Sequence, residues 1–288
     1  MDKEVVMRKG SQPFTEFAPV TTIDHTQKTP FIVSFPHSGM QIPQSLIPLY
    51  TPTHLARLRN TDWFLPELYC GIGDLGFSRI QANFSRYVID VNRALTSEMV
   101  GDFRNHPVYA SDTWGDPILR DPDCDMRIDD RMPYYHAYHD GLTDLMMKAI
   151  KRFGRAYVID MHSFAVESDK DVCLGAGRQQ DTAKTLFPAA CHNFSSHGLS
   201  TQTRGVFSGG YITQHYGAAD NIEVLQIELN YRCYLADGAE NGRHIPSIEP
   251  QRFFETRGKL IKALQDCRNA CFDHHQYPRL RPRGRLPL

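Results

Sequence analysis

Short runs of apolar and β-branched residues, each closed by Gly, Pro, Ser or Asn, punctuate the chain at Phe31–Phe35, Phe77–Ala82, Tyr87–Val91, Ala156–Met161, Asp171–Leu174 and Val224–Asn230. Runs of this length and composition predict strands. The last run differs in kind. Leu225, Ile227 and Leu229 alternate with Gln226, Glu228 and Asn230, so one face of that strand is polar, and it is either solvated or lines a cleft. Between the strands, Tyr138, Leu142, Leu145, Met146 and Ile150 recur at helical spacing. So do Phe253, Leu260, Ile261, Leu264, Cys267 and Cys271, in a segment opened by Glu249-Pro250. Strands alternating with helices predict an α/β sandwich with a mostly parallel sheet.

The stretch 96–132, rich in Asp, Arg and Pro, keeps no period and is expected to be a long excursion over one end of the sheet, the kind of loop that is often functional. Residues 277–288, dense in Pro and Arg, read as a flexible tail, and 1–29 as an N-terminal extension of one catalytic domain spanning 1–288. Gly71-Ile72-Gly73-Asp74-Leu75-Gly76 fits a dinucleotide-binding pattern, but a helix-like segment (Asp62–Cys70) precedes it and a strand follows. That is the reverse of the order nucleotide binding needs, so these glycines are expected to cap a helix and turn the chain.

Length and charge narrow the function. With 288 residues, 41% hydrophobic and 23% charged, the chain can bury one substantial core. Lys+Arg 32 against Asp+Glu 33 leave a net charge of -1 and no field to hold nucleic acid or an anionic membrane, which favours a small-molecule ligand. No signal-peptide core and no run of transmembrane length occur, so a soluble cytoplasmic protein is expected. Seven cysteines without a C-x-x-C pair read as free thiols, which makes the two N-x-S triplets at Asn83 and Asn193 chance matches.

Four places carry candidate chemistry. Phe31–Phe35 runs into Pro36-His37-Ser38-Gly39, and Ala156–Met161 into His162-Ser163. Histidines just past the carboxyl ends of parallel strands face the crevice where such folds bind ligands, and a neutral imidazole there suits zinc, although a lone histidine can equally cap a turn. Asp160 shares a strand face with His162 and could orient it. Ser85-Arg86 through Asn92-Arg93 offers guanidinium forks suited to a carboxylate, with an Asp90–Arg93 ion pair as the alternative. Glu228 lies on the polar face of the last strand. No G-x-S-x-G elbow supports a serine nucleophile, and no local motif supports a cysteine one.

These residues resemble a known family. Pro36-His37-Ser38-Gly39, Thr61-Asp62, Ser85-Arg86 through Asn92-Arg93, Tyr138-His139, Asp160-Met161-His162-Ser163, Asp171 through Gly175, Gly209-Gly210-Tyr211-Ile212 and Gln226 through Asn230 match, in order, blocks of the N-formylglutamate amidohydrolases over roughly residues 30–235. That family is similar in fold to zinc carboxypeptidases and aspartoacylase. The resemblance therefore implies a three-layer α/β/α sandwich with a mixed sheet and one divalent metal ion, zinc, held by two histidines and a carboxylate.

Carried over by motif, His37 and His162 are metal ligands, Arg86, Asn92 and Arg93 bind substrate, and Glu228 is the base. The carboxypeptidase-like relatives place their acidic ligand three residues after the first histidine, where this chain has Met40, a poor ligand. Asp62 takes that role by its family block, with a helix N-terminal charge as its bland alternative and His139 as a reserve ligand. The implied activity is hydrolysis of N-formyl-L-glutamate to formate and glutamate, a step of histidine degradation. The alternatives are a hydrolase of another N-acyl acidic amino acid and a metal-free carboxylate-binding protein of the same fold.

Overall fold

The structure, a computed structural model, describes residues 16–177, 181–203 and 207–272. Its strands are β1 (Val20–Ile23), β2 (Phe31–Phe35), β3 (Ser78–Ala82), β4 (Val100–Gly101), β5 (Val108–Tyr109), β6 (Ala156–Phe164), β7 (Val172–Gly175), β8 (Thr201–Gln202) and β9 (Ile222–Asn230). Its helices are α1 (Pro52–Leu55), α2 (Leu65–Leu68), α3 (Ile128–Phe153), α4 (Leu186–Ser196), α5 (Tyr211–Tyr216) and α6 (Pro250–Cys271). Seven strands form one sheet in the order β1-β3-β2-β6-β9-β7-β8, and β4 with β5 makes a separate ribbon.

The middle four strands, β3, β2, β6 and β9, are mutually parallel, whereas β1 and β7 join them antiparallel. The sheet is therefore mixed and mostly parallel. The long helix α3 packs against β1, β2, β3 and β6. On the opposite side α6 packs on α4 and α2, which rest on the sheet, so the sandwich has three layers. Phe31 stacks between Phe77 and Tyr157, with ring centroids 4.8 and 4.7 Å apart, and ties β2 to its neighbours. The parallel arrangement brings the carboxyl ends of β2, β6 and β9 to one edge, and the histidines of the first two arrive there together.

Three expectations are corrected. Tyr87–Val91 forms no strand although it is buried throughout. Its backbone finds other partners: the guanidinium of Arg131, itself fully buried on α3, donates to the carbonyls of Tyr87 and Val88, and Asp90 N–H donates to Pro107 O. A buried segment must satisfy its polar backbone, and here side chains do so in place of a ladder.

Part of the presumed N-terminal extension belongs to the fold, because Val20–Ile23 pairs with β3. The last residues of the 96–132 excursion are helical, since α3 begins at Ile128; Pro133 and the charged run before it hide that start from periodicity. The tail 277–288 lies outside the described residues. The Gly71–Gly76 segment is a turn leading into β3, with Gly71 and Gly76 at φ of +99° and +80°, conformations that favour glycine.

Candidate active site

His37 follows β2 by two residues, and His162 sits near the end of β6 opposite Glu228 of β9. Asp62 reaches them from the loop between α1 and α2. Its N–H donates to His37 O, while Leu58, Asn60 and Phe64 around it adopt left-handed φ, so a strained turn presents the carboxylate. Asp62 is not a helix cap, since α2 starts at Leu65.

Asp62 Oδ1 accepts from Ser163 N–H at 3.1 Å. Its Oδ2 lies 3.0 Å from His162 Nδ1 and 3.7 Å from His37 Nδ1. One donor atom from each of His37, Asp62 and His162 falls within 4.8 Å of the other two, and all three residues are buried.

The other ring nitrogens are taken. His37 Nε2 pairs with Asp90 Oδ1 at 2.7 Å, and His162 Nε2 with Asp160 Oδ2 at 2.8 Å. A carboxylate on Nε2 fixes the proton there and leaves the Nδ1 lone pair free, which is how metal-ligating histidines are oriented. Burial, with the charge of Arg86, brings His37 down to about 4, so its imidazole is neutral at pH 7. Burial also pulls His162 down, but Asp160 and Asp62 outweigh it and hold that imidazole well above its ordinary value.

The charge tally explains the contrast. Within this cluster three buried carboxylates, Asp62, Asp90 and Asp160, face one guanidinium, Arg86, and with no cation between them the surplus of negative charge falls on His162, which holds its proton, while His37 stays neutral beside Arg86. A divalent cation offsets that surplus, and two imidazoles with one carboxylate are a donor set zinc accepts. The residues fit the ion.

Glu228 is buried beside His162 rather than solvated, so the polar face of β9 lines a cleft. Burial raises its carboxyl to about 8, against the pull of His162. Gln226, two residues back on the same face and level with Asp160, donates to Glu228 Oε1 at 2.9 Å.

Arg86 is buried deeper than a surface clamp would be. It donates to Asp90 Oδ2 at 2.7 Å, to Tyr109 Oη at 3.0 Å and to Asn60 O at 3.2 Å. It is thus the counter-ion of Asp90. Asn92 is committed as well: its Oδ1 accepts Ile212 N–H at 2.9 Å, which ties it to the start of α5, and its Nδ2 packs beside His162 at 3.1 Å from Nε2.

Arg93 is half-buried and does not pair with Asp90. Its Nε and Nη2 donate to Phe103 O and its Nη1 to Asn92 O. Of the five N–H bonds of a guanidinium, one on each terminal nitrogen remains, which is the fork a carboxylate needs. His139 stands apart from the cluster, with Nδ1 on Tyr216 Oη at 2.8 Å and Nε2 on Val91 O at 3.0 Å, so it is no reserve ligand. Sequence reasoning missed Asp90 and Gln226. In the sequence Asp90 reads only as a partner for nearby Arg93, and Gln226 carries no local signal beyond its place on the polar face.

These features define an α/β enzyme with a buried acid–histidine cleft at the carboxyl edge of its parallel strands. The sequence profile described as N-formylglutamate amidohydrolase matches residues 29–235. The chain belongs to the N-formylglutamate amidohydrolase family and is an amidohydrolase. The N-formylglutamate deformylase of Pseudomonas aeruginosa is 26% identical over 227 residues, covering 74% of this chain and 84% of that protein. That of Pseudomonas putida is 27% identical over 237 residues with the same coverage.

Among solved structures, N-formylglutamate amidohydrolase from Ralstonia eutropha superposes with a TM-score of 0.74 at 22% identity, covering 88% of this chain and 98% of that one. A gene product of Agrobacterium tumefaciens gives 0.64 at 16% identity, covering 90% and 98%. Both likenesses establish the fold. No helix among the described residues is long and apolar enough to cross a membrane.

Proposed function

We propose that this amidohydrolase cleaves N-formyl-L-glutamate to formate and glutamate, as the names of its relatives suggest, with one divalent ion, zinc, held by His37, Asp62 and His162. The observation that carries the metal is the convergence of Nδ1 of both histidines on the Asp62 carboxylate while Asp90 and Asp160 occupy both Nε2 atoms. When bound, such an ion polarises the scissile carbonyl and lowers the pKa of the attacking water.

The chain's own residues do the rest. Glu228, neutral when buried alone, ionises beside a cation, takes a proton from water as that water adds to the formyl carbon, and returns it to the nitrogen as the C–N bond breaks. The open fork of Arg93 receives a substrate carboxylate, and its two hooks on Phe103 and Asn92 aim it. Arg86 holds Asp90 ionised so that His37 keeps its orientation. The cytoplasm is the proposed location, in keeping with seven free cysteines.

Elemental analysis of protein purified without chelator, together with turnover of N-formylglutamate against N-acetylaspartate, tests this function. About one zinc per chain and a preference for the formyl substrate are expected. Faster turnover of the acetyl substrate would redirect the proposal to another N-acyl acidic amino acid, and full activity without metal would end the metal assignment. Glu228→Gln should keep its metal and lose roughly 10²–10⁴-fold in kcat. Loss of metal instead would make Glu228 a ligand.

A further inference from the structure

Each candidate metal-binding histidine is the first link of a buried chain that ends on a tyrosine from a distant element. His162 leads to Asp160, whose Oδ1 accepts from Ser34 Oγ at 2.6 Å, and Ser34 meets Tyr138 Oη at 2.8 Å. His37 leads to Asp90, whose Oδ2 accepts from the hydroxyl of Tyr109. The two chains differ in origin. Tyr138 belongs to α3, which packs on the sheet, whereas Tyr109 belongs to β5, in a two-stranded ribbon outside the main sheet within the 96–132 excursion.

The excursion grips Asp90 twice. Pro107 O accepts Asp90 N–H at 2.7 Å, and Tyr109 reaches the side chain two residues later. The Asp90 carboxylate is fully buried and makes four contacts: His37 Nε2 and Asn92 N–H on Oδ1, Arg86 Nη2 and Tyr109 Oη on Oδ2. A planar carboxylate can aim one oxygen at an imidazole only while the other is held, and Tyr109 with Arg86 holds it. The Tyr109 hydroxyl also accepts from Arg86 Nη2, which closes the triangle around Oδ2.

We infer that Tyr109 is a positioning residue for the metal centre, fixing Asp90 so that His37 presents Nδ1 to the ion, and that the 96–132 excursion therefore completes the ligand set instead of merely covering it. This rests on the assignment of His37, Asp62 and His162 as ligands. Outer partners of metal-bound histidines typically change metal affinity by 10- to 100-fold, which sets the size of the effect.

The experiment measures zinc affinity of the full-length chain, stripped of metal, by competition with a chromophoric chelator. Tyr109→Phe removes one oxygen and is expected to weaken zinc binding about tenfold, and Asp90→Asn by more. In the Asp90→Asn background the Tyr109→Phe step should have no further effect, because the hydroxyl then has no carboxylate to fix.

An unchanged zinc affinity in Tyr109→Phe overturns the inference. So does an equal loss in both backgrounds, which would mean that the ring acts through packing. Should Tyr109→Phe fail to fold, the ring-nitrogen resonances of His37 in zinc-loaded Asp90→Asn decide, since unchanged shifts would show that Asp90 does not orient that imidazole. Failure of the wild-type chain to bind zinc would remove the ligand assignment itself, a different result from a tight wild type with an equally tight Tyr109→Phe.

Discussion

Gln226 donates its side-chain amide to Oε1 of Glu228 at 2.9 Å while its own oxygen accepts the N–H of Gly210 at 2.7 Å. Gly210 N–H can only donate, so the amide has one possible orientation and its NH₂ must face the glutamate. Gly210 approaches so closely that a Cβ there would lie 2.4 Å from the Asn92 amide, which packs this anchor against the residue beside His162. Gln226→Leu should leave metal content and KM near wild type and lower kcat by about 10²-fold, the cost of a base displaced by around an ångström. Steady-state kinetics decide, and an unchanged kcat would show that Glu228 is held by packing alone.

Arg93 separates binding from folding. Arg93→Ala should raise KM for the acidic substrate about tenfold or more, since a charged hydrogen bond contributes roughly 1.5–3 kcal/mol. Arg93→Lys should recover only part of this, because an ammonium cannot hook Phe103 O twice and still present a fork. A lower melting temperature with unchanged KM would leave Arg93 a tie between Asn92 and the excursion.

What the sequence disclosed follows from where each signal originates. β2 and β6 are legible because a strand buried in the middle of a parallel sheet is apolar over most of its length, β9 because its apolar positions alternate with polar ones, and His37 and His162 are marked by their place at or just past the ends of such runs. Val20–Ile23 is not legible, because an edge strand with an exposed face keeps no burial pattern. Tyr87–Val91 is apolar for a different reason. It is a buried loop, and the residue that makes it possible, Arg131, lies 43 or more positions away.

The site divides in the same way. Alternation showed that Glu228 lies on a polar face but not what covers that face. Asp62 became a candidate only through family likeness, since nothing local to Thr61-Asp62-Trp63 announces a ligand. Asp90 pairs not with Arg93, three residues on, but with Arg86 four residues back and with His37, 53 residues away, which nothing in the local sequence marks.

Acid should act first on the neutral buried histidines. Burial brings His54 and His139 down to about 4 from an ordinary value near 6.5. Between those values the unfolded chain binds protons that the folded chain does not, so their contribution is complete above about pH 6.5 and is lost as pH falls toward 4. His54 packs between Tyr50 and Tyr87, away from the metal cluster, and is the cleaner probe. His54→Leu should flatten the fall in stability across that window by at most about 1.4 kcal/mol per pH unit. Urea unfolding from pH 7 to 4.5 measures it, and an unaltered slope would mean that His54 titrates normally.

The strongest dependence on a single residue far from the chemistry should fall on Arg131. It is fully buried, with no carboxylate in ion-pair range among the described residues, and it donates to Met126 O at 2.6 Å, Val88 O at 2.6 Å, Tyr87 O at 3.0 Å and Tyr50 Oη at 2.9 Å. Tyr50 also donates to Tyr87 O, so removing Arg131 strands chiefly the carbonyls of Val88 and Met126. Each unsatisfied buried group costs about 1–3 kcal/mol, so Arg131→Met should destabilise the metal-free chain by roughly 3 kcal/mol even though it fills similar volume. Arg131→Lys cannot span carbonyls on two elements and should restore only part. Because the same loop carries Asp90 and Asn92, zinc affinity should fall with stability in Arg131→Met, whereas Tyr109→Phe should weaken zinc with little change in melting of the metal-free chain. Thermal unfolding of the metal-free variants distinguishes them, and a stable Arg131→Met would show that water or a rearranged ladder can replace the guanidinium.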